Sequence, residues 1–303
     1  MRSAIPAMLV FVLLAAVPWL AEVWGGSYLT SLAMRAMILA IAAISLDLLI
    51  GQGGLVSFGH AAFLGIGSYV AGIAITEGTT DIATILAIAV LIAALFALIT
   101  GAISLRTSGV SFIMITLAFG QMVFFTLSAL SEYGGDDGLT LWERASAFED
   151  DAVLYFSILG ALVAVWFFVT RMVGSRFGRV LRAAKQNETR VETLGFGVFG
   201  IRLTAYVIAG VIAAIAGVLL ANQAEFVSPA TAAWQRSGDL IIIVVLGGMG
   251  TRSGAVLGAL AFVGLEEGLS SLTHDWRLIF GPLLILIVLY AKGGLASLFE
   301  RRA

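Results

Sequence analysis

The chain has 303 residues, 60% hydrophobic and 12% charged, with a formal net charge of −2. Soluble chains carry about 25% charged residues, so disorder, coiled coil, collagen and nucleic-acid binding are excluded together, and the composition points to a membrane protein. With no Cys in the sequence, disulfides, thiolate catalysis and Cys-ligated metal sites are excluded as well. Ten membrane helices of about 20 residues each would occupy ~200 positions, which leaves no room for a sizeable domain outside the bilayer. Residues 1–303 therefore read as one all-α, polytopic transmembrane domain of about ten helices (8–10), at least one of them short or broken.

In chain order, the first apolar span covers Ile5–Trp24 behind Arg2. Its length matches a signal peptide and small residues near Ala15 and Ala21 would suit cleavage, but a multi-span chain needs no removable leader, so it is read as an uncleaved helix. Tyr28–Ile50 is a second span, and Gly51–Thr76 is a Gly-rich, weaker or partly broken element. Ile82–Leu105, Val110–Leu130, Ala152–Val173 and Ile201–Asn222 follow as spans. Asp239–Gly250, Ala255–Leu272 and Leu278–Lys292 close the chain. The stretch Asp239–Gly250 is short for a crossing, and reads either as re-entrant or as one limb of a broken helix.

The loop charges set an orientation. Residues 171–202 hold Arg171, Arg176, Arg179, Arg182, Lys185, Arg190 and Arg202. Residues 131–151 hold Glu132, Asp136, Asp137, Glu143, Glu149, Asp150 and Asp151 against Arg144 alone. One span separates the two loops, so they lie on opposite sides, the basic one cytoplasmic and the acidic one outside. Alternation then places Arg2, Arg106, Lys292, Arg301 and Arg302 inside, with both termini cytoplasmic.

Residues 174–200 form an amphipathic insert longer than a turn requires, suited to a short cytoplasmic helix that presses on the membrane or docks in a partner's groove. The polar residues within apolar surroundings are few. Gln52, Gly53, Gly54, Ser57, His60 and Tyr69 lie in the Gly-rich element, and Thr116 and Gln121 in the fifth span. Each is read either as interhelical packing and hydrogen bonding or as lining for a polar solute. Gly250, Gly254 and Gly258 give overlapping small-xxx-small steps, read as helix packing. Asp47 is placed near the cytoplasmic end, where water access makes its charge cheap, and Glu266 and Glu267 near a mouth. No metal site is expected, since a lone His60 cannot build one. The chain lacks a P-loop, a His-Glu-x-x-His motif and a nucleophile elbow, so it is not expected to be an enzyme or to bind ATP itself.

Several blocks together resemble the permease subunits of branched-chain amino-acid ABC importers. They are the run from Gly51 to Tyr69, Thr116-Leu117-Ala118-Phe119-Gly120, Gly134-Gly135-x-x-Gly138-Leu139, Ser175-Arg176-Phe177-Gly178-Arg179, Asn187-Glu188, Glu192-x-Leu194-Gly195 and Leu246-Gly247-Gly248-Met249-Gly250. The likeness is to the second, longer-looped of two paralogous inner-membrane permeases. It implies a heterodimer with the other permease, two cytoplasmic ATP-binding subunits that hold ATP and Mg, and a periplasmic solute-binding protein. This chain would bind no cofactor. The basic insert becomes a coupling helix, with Arg179, Arg182, Asn187, Glu188, Glu192 and Gly195 at the ATPase interface. Asp47 departs from the family, which usually has Asn there; Thr193 stands where Ala is commoner, and residues 292–295 lack a frequent Pro. The solute implied is leucine, isoleucine or valine, with urea, short-chain amides or other small organic solutes as the alternative.

Overall fold

The computed structural model describes residues 5–24, 26–271, 278–282 and 293–297. Arg2, Lys292, Arg301 and Arg302, on which part of the charge alternation rests, lie outside these, as does most of the span expected at Leu278–Lys292. The described chain is all-α apart from one two-residue ladder. Its helices are α1 (Ile5–Trp24), α2 (Ser27–Asp47), α3 (His60–Thr76), α4 (Ile82–Ser104), α5 (Val110–Ser128), α6 (Asp151–Gly174), α7 (Arg176–Gln186), α8 (Glu188–Thr193), α9 (Val198–Ala224), α10 (Trp234–Gly247) and α11 (Gly254–Ser270). Strands β1 (Leu139–Thr140) and β2 (Phe226–Val227) pair antiparallel.

Among the described residues, five helices are long and apolar enough to cross a membrane: Ser27–Gly53, Ile82–Ser104, Val110–Ser128, Asp151–Gly174 and Val198–Ala224. Met8–Ala21 and His60–Thr76 are shorter apolar helices. The protein is a multi-pass, all-α membrane protein, as the composition requires.

Helix α2 is the hub. Its second half is almost wholly apolar and is buried without interruption from Ala36 to Asp47. A helix with no polar face must be enclosed by others, and α2 is enclosed by α6, α9, α10 and α11. By contrast, α4 and α5 each bury one narrow stripe. In α5 the stripe is Phe112, Thr116, Gly120, Val123 and Leu127, at helical spacing, while Met114, Met122 and Phe125 face outward.

The Gly-rich helix α3 lies against α9 at close range. A Cβ on Gly67 would run into the Ala214 carbonyl oxygen, and one on Gly217 into the Leu64 carbonyl oxygen. The two backbones touch where small residues face each other, which is how helices gain dispersion contact in lipid.

Residues Glu225–Gly250 resolve the short segment. Val227 pairs with Leu139 at the end of the bundle that carries the acidic loop, while the Gly250 N–H donates to Asp47 at the opposite end. Between them the chain runs antiparallel along α3. Val227 abuts Gly72, Ala232 abuts Gly65, and Ser237 Oγ accepts from the Ala61 N–H at 2.9 Å. It traverses the bundle as a strand residue, a 3-10 turn (Pro229–Ala232) and the 14-residue α10. The sequence alternatives were a re-entrant loop and a limb of a broken helix; the chain adopts the second.

Candidate functional site

The most heavily connected polar cluster lies at the basic end, where α2 terminates. After Asp47 the helix widens into a π-helical turn, Leu48–Gly53, and stops at Gly54, whose φ of 70° is left-handed. The last carbonyls of a helix have no partner inside it and carry partial negative charge. Here α7 supplies the cations. Lys185 Nζ donates to the Gly51 carbonyl at 2.9 Å, and its aliphatic stem lies over Gly54. Arg182 Nη1 donates to Gln52 Oε1 at 3.0 Å, while Gln52 Nε2 donates to the Gly250 carbonyl, also at 3.0 Å. Asp47 Oδ1 accepts from the Gly250 N–H at 2.7 Å. One side-chain and main-chain network therefore joins α2, α7 and the turn between α10 and α11. A cavity of about 160 Å³ beside it is lined by Asp47, Gln52, Trp166, Arg182, Gly250 and Thr251.

This placement corrects the expectation for Asp47. Asp47 is 8% exposed, and its Oδ1 is bound to main chain beside that cavity. The sequence could not show this because its partner lies 203 residues away. Glu266 is also not a free mouth residue. It receives two hydrogen bonds from Arg35 Nη2, at 2.8 and 3.0 Å, and so links α11 to α2.

Helix α7 is amphipathic because Gly178, Leu181 and Ala184, spaced by three, form its buried stripe. Arg179 and Glu192 are exposed. Asn187, Glu188 and Gly195 are exposed as well, and all four remaining candidates have a structural part within the chain. Arg182 turns inward to Gln52; Asn187 Oδ1 accepts from the Arg190 N–H as the N-cap of α8; Glu188 pairs with Arg202 at 2.8 Å; Gly195, at φ 86°, ends α8. Sequence reasoning missed the apolar residues beyond α8. Leu194 is 70% exposed, Phe196 47% and Phe199 43%. The signal available was the run Leu194-Gly195-Phe196-Gly197-Val198-Phe199, too apolar for a solvated loop.

The polar residues considered for a solute path fall into two groups. Ser57, His60, Tyr69 and Thr116 are buried within the subunit. His60 Nε2 lies 2.7 Å from Ser45 Oγ, whose own proton goes to the Ala42 carbonyl, so the ring donates from Nε2. Thr116 Oγ1 accepts from the Phe58 N–H and holds α5 to the start of α3. Gln52 and Gly53 are buried under α7, while Gly54 is exposed and Gln121 half-buried on α5. Of the packing glycines, Gly250 forms the turn on Asp47, Gly254 lies against Gly248, and a Cβ on Gly258 would strike the Ile243 carbonyl.

At the acidic end, Arg144 pairs with Asp151 and, at 2.7 Å, with Glu225. Burial pulls the guanidinium pKa down, but the two carboxylates outweigh it and hold it above its usual value. Asn222 Oδ1 accepts from the Ala145 N–H, and Tyr133 Oη donates to Glu77, which holds the tyrosine pKa up. Among the described residues no group of three or more His, Asp or Glu is arranged to hold a metal.

Comparison with known proteins agrees with this architecture. Residues 28–289 match the family described as branched-chain amino acid transport system, permease component. The high-affinity branched-chain amino acid transport system permease protein LivM of Escherichia coli is 29% identical over 95% of this chain and 74% of its own length. A probable LivM of Methanocaldococcus jannaschii is 26% identical over 70% of this chain and 68% of its own length. The E. coli permease LivH is 30% identical over 48% of this chain and 46% of its own. No solved structure matches. The chain belongs to the family of branched-chain amino acid transport permease components.

Proposed function

We propose that this chain is the LivM-like permease subunit of an ABC importer, carrying leucine, isoleucine and valine across the bacterial inner membrane. It is a transporter subunit and not an enzyme. It pairs with a paralogous LivH-like permease; two cytoplasmic ATP-binding subunits hold ATP and Mg, and a periplasmic solute-binding protein delivers the solute. The basic end faces the cytoplasm and the acidic 131–151 loop faces the binding protein, in keeping with the positive-inside rule.

The observation that carries this reading is the attachment of α7 to the end of the central helix. A cytoplasmic helix that only anchored the protein would need no bond to the core. Here Arg182 and Lys185 hold Gln52 and Gly51, so a push on α7 reaches α2 and, through Gly250, α10 and α11. Exposed Arg179, Glu192, Leu194 and Phe196 then form the surface that seats in the ATPase groove. Mechanistically, closure of the ATPases moves α7, the hub helix shifts with it, and the path between the two permeases opens to alternate sides. No chemistry occurs on this chain.

Uptake of labelled leucine into proteoliposomes holding the assembled complex tests the reading. Uptake is expected only with ATP and binding protein. Uptake driven by a proton gradient without ATP would overturn it. Glu192→Lys is expected to weaken association with the ATP-binding subunits, measured by co-purification.

A further inference from the structure

The cations at the basic end divide by whether a partner holds them. Arg182 and Lys185 bond to the tail of α2, and Arg202 pairs with Glu188. Arg171, in the last turn of α6, and Arg252, in the turn between α10 and α11, come from separate elements yet line one groove of about 560 Å³. Among the described residues neither guanidinium has a hydrogen-bond or ion-pair partner, and no acidic side chain lines the groove. Arg252 is nevertheless held in place, because its carbonyl accepts from Trp166 Nε1 at 2.6 Å and Trp166 packs edge-on against Phe11.

The groove lies where hydrocarbon meets headgroups. Helix α6 has 24 residues and is about 36 Å long, so it overhangs a hydrocarbon layer ~30 Å thick. Arg171 lies one turn, about 4.5 Å, from its end, and a guanidinium there reaches the headgroup level by extending along the helix. Toward the middle of the bilayer the groove is walled by exposed Phe167 and Phe168, with half-buried Met172 near its rim. It stays open because a Cβ on Gly174 would meet nothing within 4 Å. The end of α6 also does little to repel an anion, since its Met172 carbonyl already accepts from the Ser175 N–H and hydroxyl.

Two unpaired cations with no acid beside them select a ligand. A phosphodiester offers both of them charge-assisted hydrogen bonds, whereas the ammonium of a zwitterionic headgroup would find no carboxylate in the groove. The aromatic walls suit an acyl chain. Positive-inside charge explains why arginines lie at this end, but not their convergence on one groove with apolar walls. Basic pockets between helices on the cytoplasmic side hold anionic headgroups in this way. Going beyond the permease reading, and taking from it only that the basic end faces the cytoplasm, we propose that Arg171 and Arg252 bind the phosphate of one anionic phospholipid of the cytoplasmic leaflet, its acyl chain lying against Phe167 and Phe168. The groove shares Thr170, Gly174 and Arg252 with the cavity beside Asp47, while Asp47 itself lines only that cavity. The bound lipid therefore braces α6 against the turn whose Gly250 holds Asp47 and Gln52.

Lipid retention by the assembled transporter tests this. The complex is purified in detergent doped with equal amounts of phosphatidylglycerol and phosphatidylcholine, and the lipid that survives gel filtration is counted by mass spectrometry. Phosphatidylglycerol is expected to be retained in preference, and Arg171→Gln combined with Arg252→Gln to lower that retention about tenfold, as two charge-assisted contacts are lost. Arg106→Gln, which removes an exposed cation between α4 and α5 at the same end, is expected to leave it unchanged. A loss no larger than that in Arg106→Gln overturns the assignment, because the attraction would then be diffuse. Displacement of the lipid by inorganic phosphate overturns it as well, since the groove would then take a free anion. So does loss of the ATP-binding subunits from the double variant with phosphatidylglycerol still retained, which would give the two arginines to a protein partner. On the delipidated, unaltered complex, phosphatidylglycerol is expected to raise the melting temperature and phosphatidylcholine to leave it in place; an equal rise with both overturns the inference without any substitution. None of these measurements reads transport, so their failure is distinct from failure of the permease reading, which leucine uptake decides.

Discussion

The two ends of the bundle use polar groups in opposite ways. At the basic end, Asp47, Gln52, Arg182 and Lys185 bond inward to main chain and to one another, and every bond touches the tail of α2 or the turn at Gly250. At the acidic end, Arg144, Asn222 and the β1–β2 ladder fasten one loop to the ends of α6 and α9, and Asp136 and Asp137 remain exposed. The first arrangement ties three elements to the end of the central helix; the second fastens a loop to the ends of two helices. Sheer number of charges does not separate them, since each loop carries seven of its dominant sign. What separates them is whether the charged groups reach the hub helix.

The sharpest way to break this contrast is at Asp47. Asp47→Leu removes the acceptor of the half-buried Gly250 N–H, leaving that donor unpaired. Losing a hydrogen bond of this kind costs about 0.5–3 kcal/mol, so a thermal midpoint lowered by several degrees in detergent is expected, together with more ATP hydrolysed per leucine moved. Asp47→Asn keeps an oxygen at the same position and should restore both. If Asp47→Leu melts and transports like the unaltered protein, the basic end is no hub.

How much of this was legible in the sequence depends on the range of the interaction. The spans were legible because twenty apolar residues in a row have one outcome in a membrane. The helix inside the basic insert was legible because Arg179, Arg182 and Lys185 interleave with Val180, Leu181, Ala183 and Ala184. The direction of Arg182 was not, since a cation on the border of an amphipathic helix points inward only when an acceptor such as Gln52 waits 130 positions away. Polarity alone likewise could not distinguish a path from interhelical glue. Ser57, His60 and Thr116 were read as either, and all three are buried among their own helices. The start of α10 was misjudged by five residues because Trp234-Gln235-Arg236-Ser237-Gly238 is too polar for a membrane helix read by hydropathy. It is helical because Ser237 and Leu240 are buried against neighbours while the charges share an open face.

At the acidic end the effects should be smaller. Arg144, only 18% exposed, serves two carboxylates. Arg144→Ala leaves Asp151 and Glu225 close together without a cation, and the expected cost is about 1–2 kcal/mol, seen as a modest fall in melting temperature. Arg144→Lys should recover less than half of it, because an ammonium cannot bridge two carboxylates as a planar guanidinium does. Full recovery by Lys would mean that the pairing is a diffuse charge effect and not a clamp.

The smallest effect concerns the start of α4. The Asp81 carboxylate accepts from Thr84 Oγ1 at 2.6 Å and from the Thr84 N–H at 3.0 Å. The hydroxyl bond first, and the backbone bond second, hold its pKa below the ordinary 3.8. A carboxyl group with a depressed folded pKa contributes stability that is complete above its unfolded value and is lost as pH falls through the folded one. The cap is therefore insensitive near neutrality and fails only in acid. Asp81→Asn still caps, since its side-chain oxygen accepts the same bonds, but it does not titrate. Melting temperatures of the two proteins should run parallel from about pH 7 to pH 5 and diverge below about pH 4, the unaltered protein falling faster. Parallel curves throughout would show that the cap does not hold the acidic end. Divergence confined to acid would place this site among local fastenings, with no reach into α2.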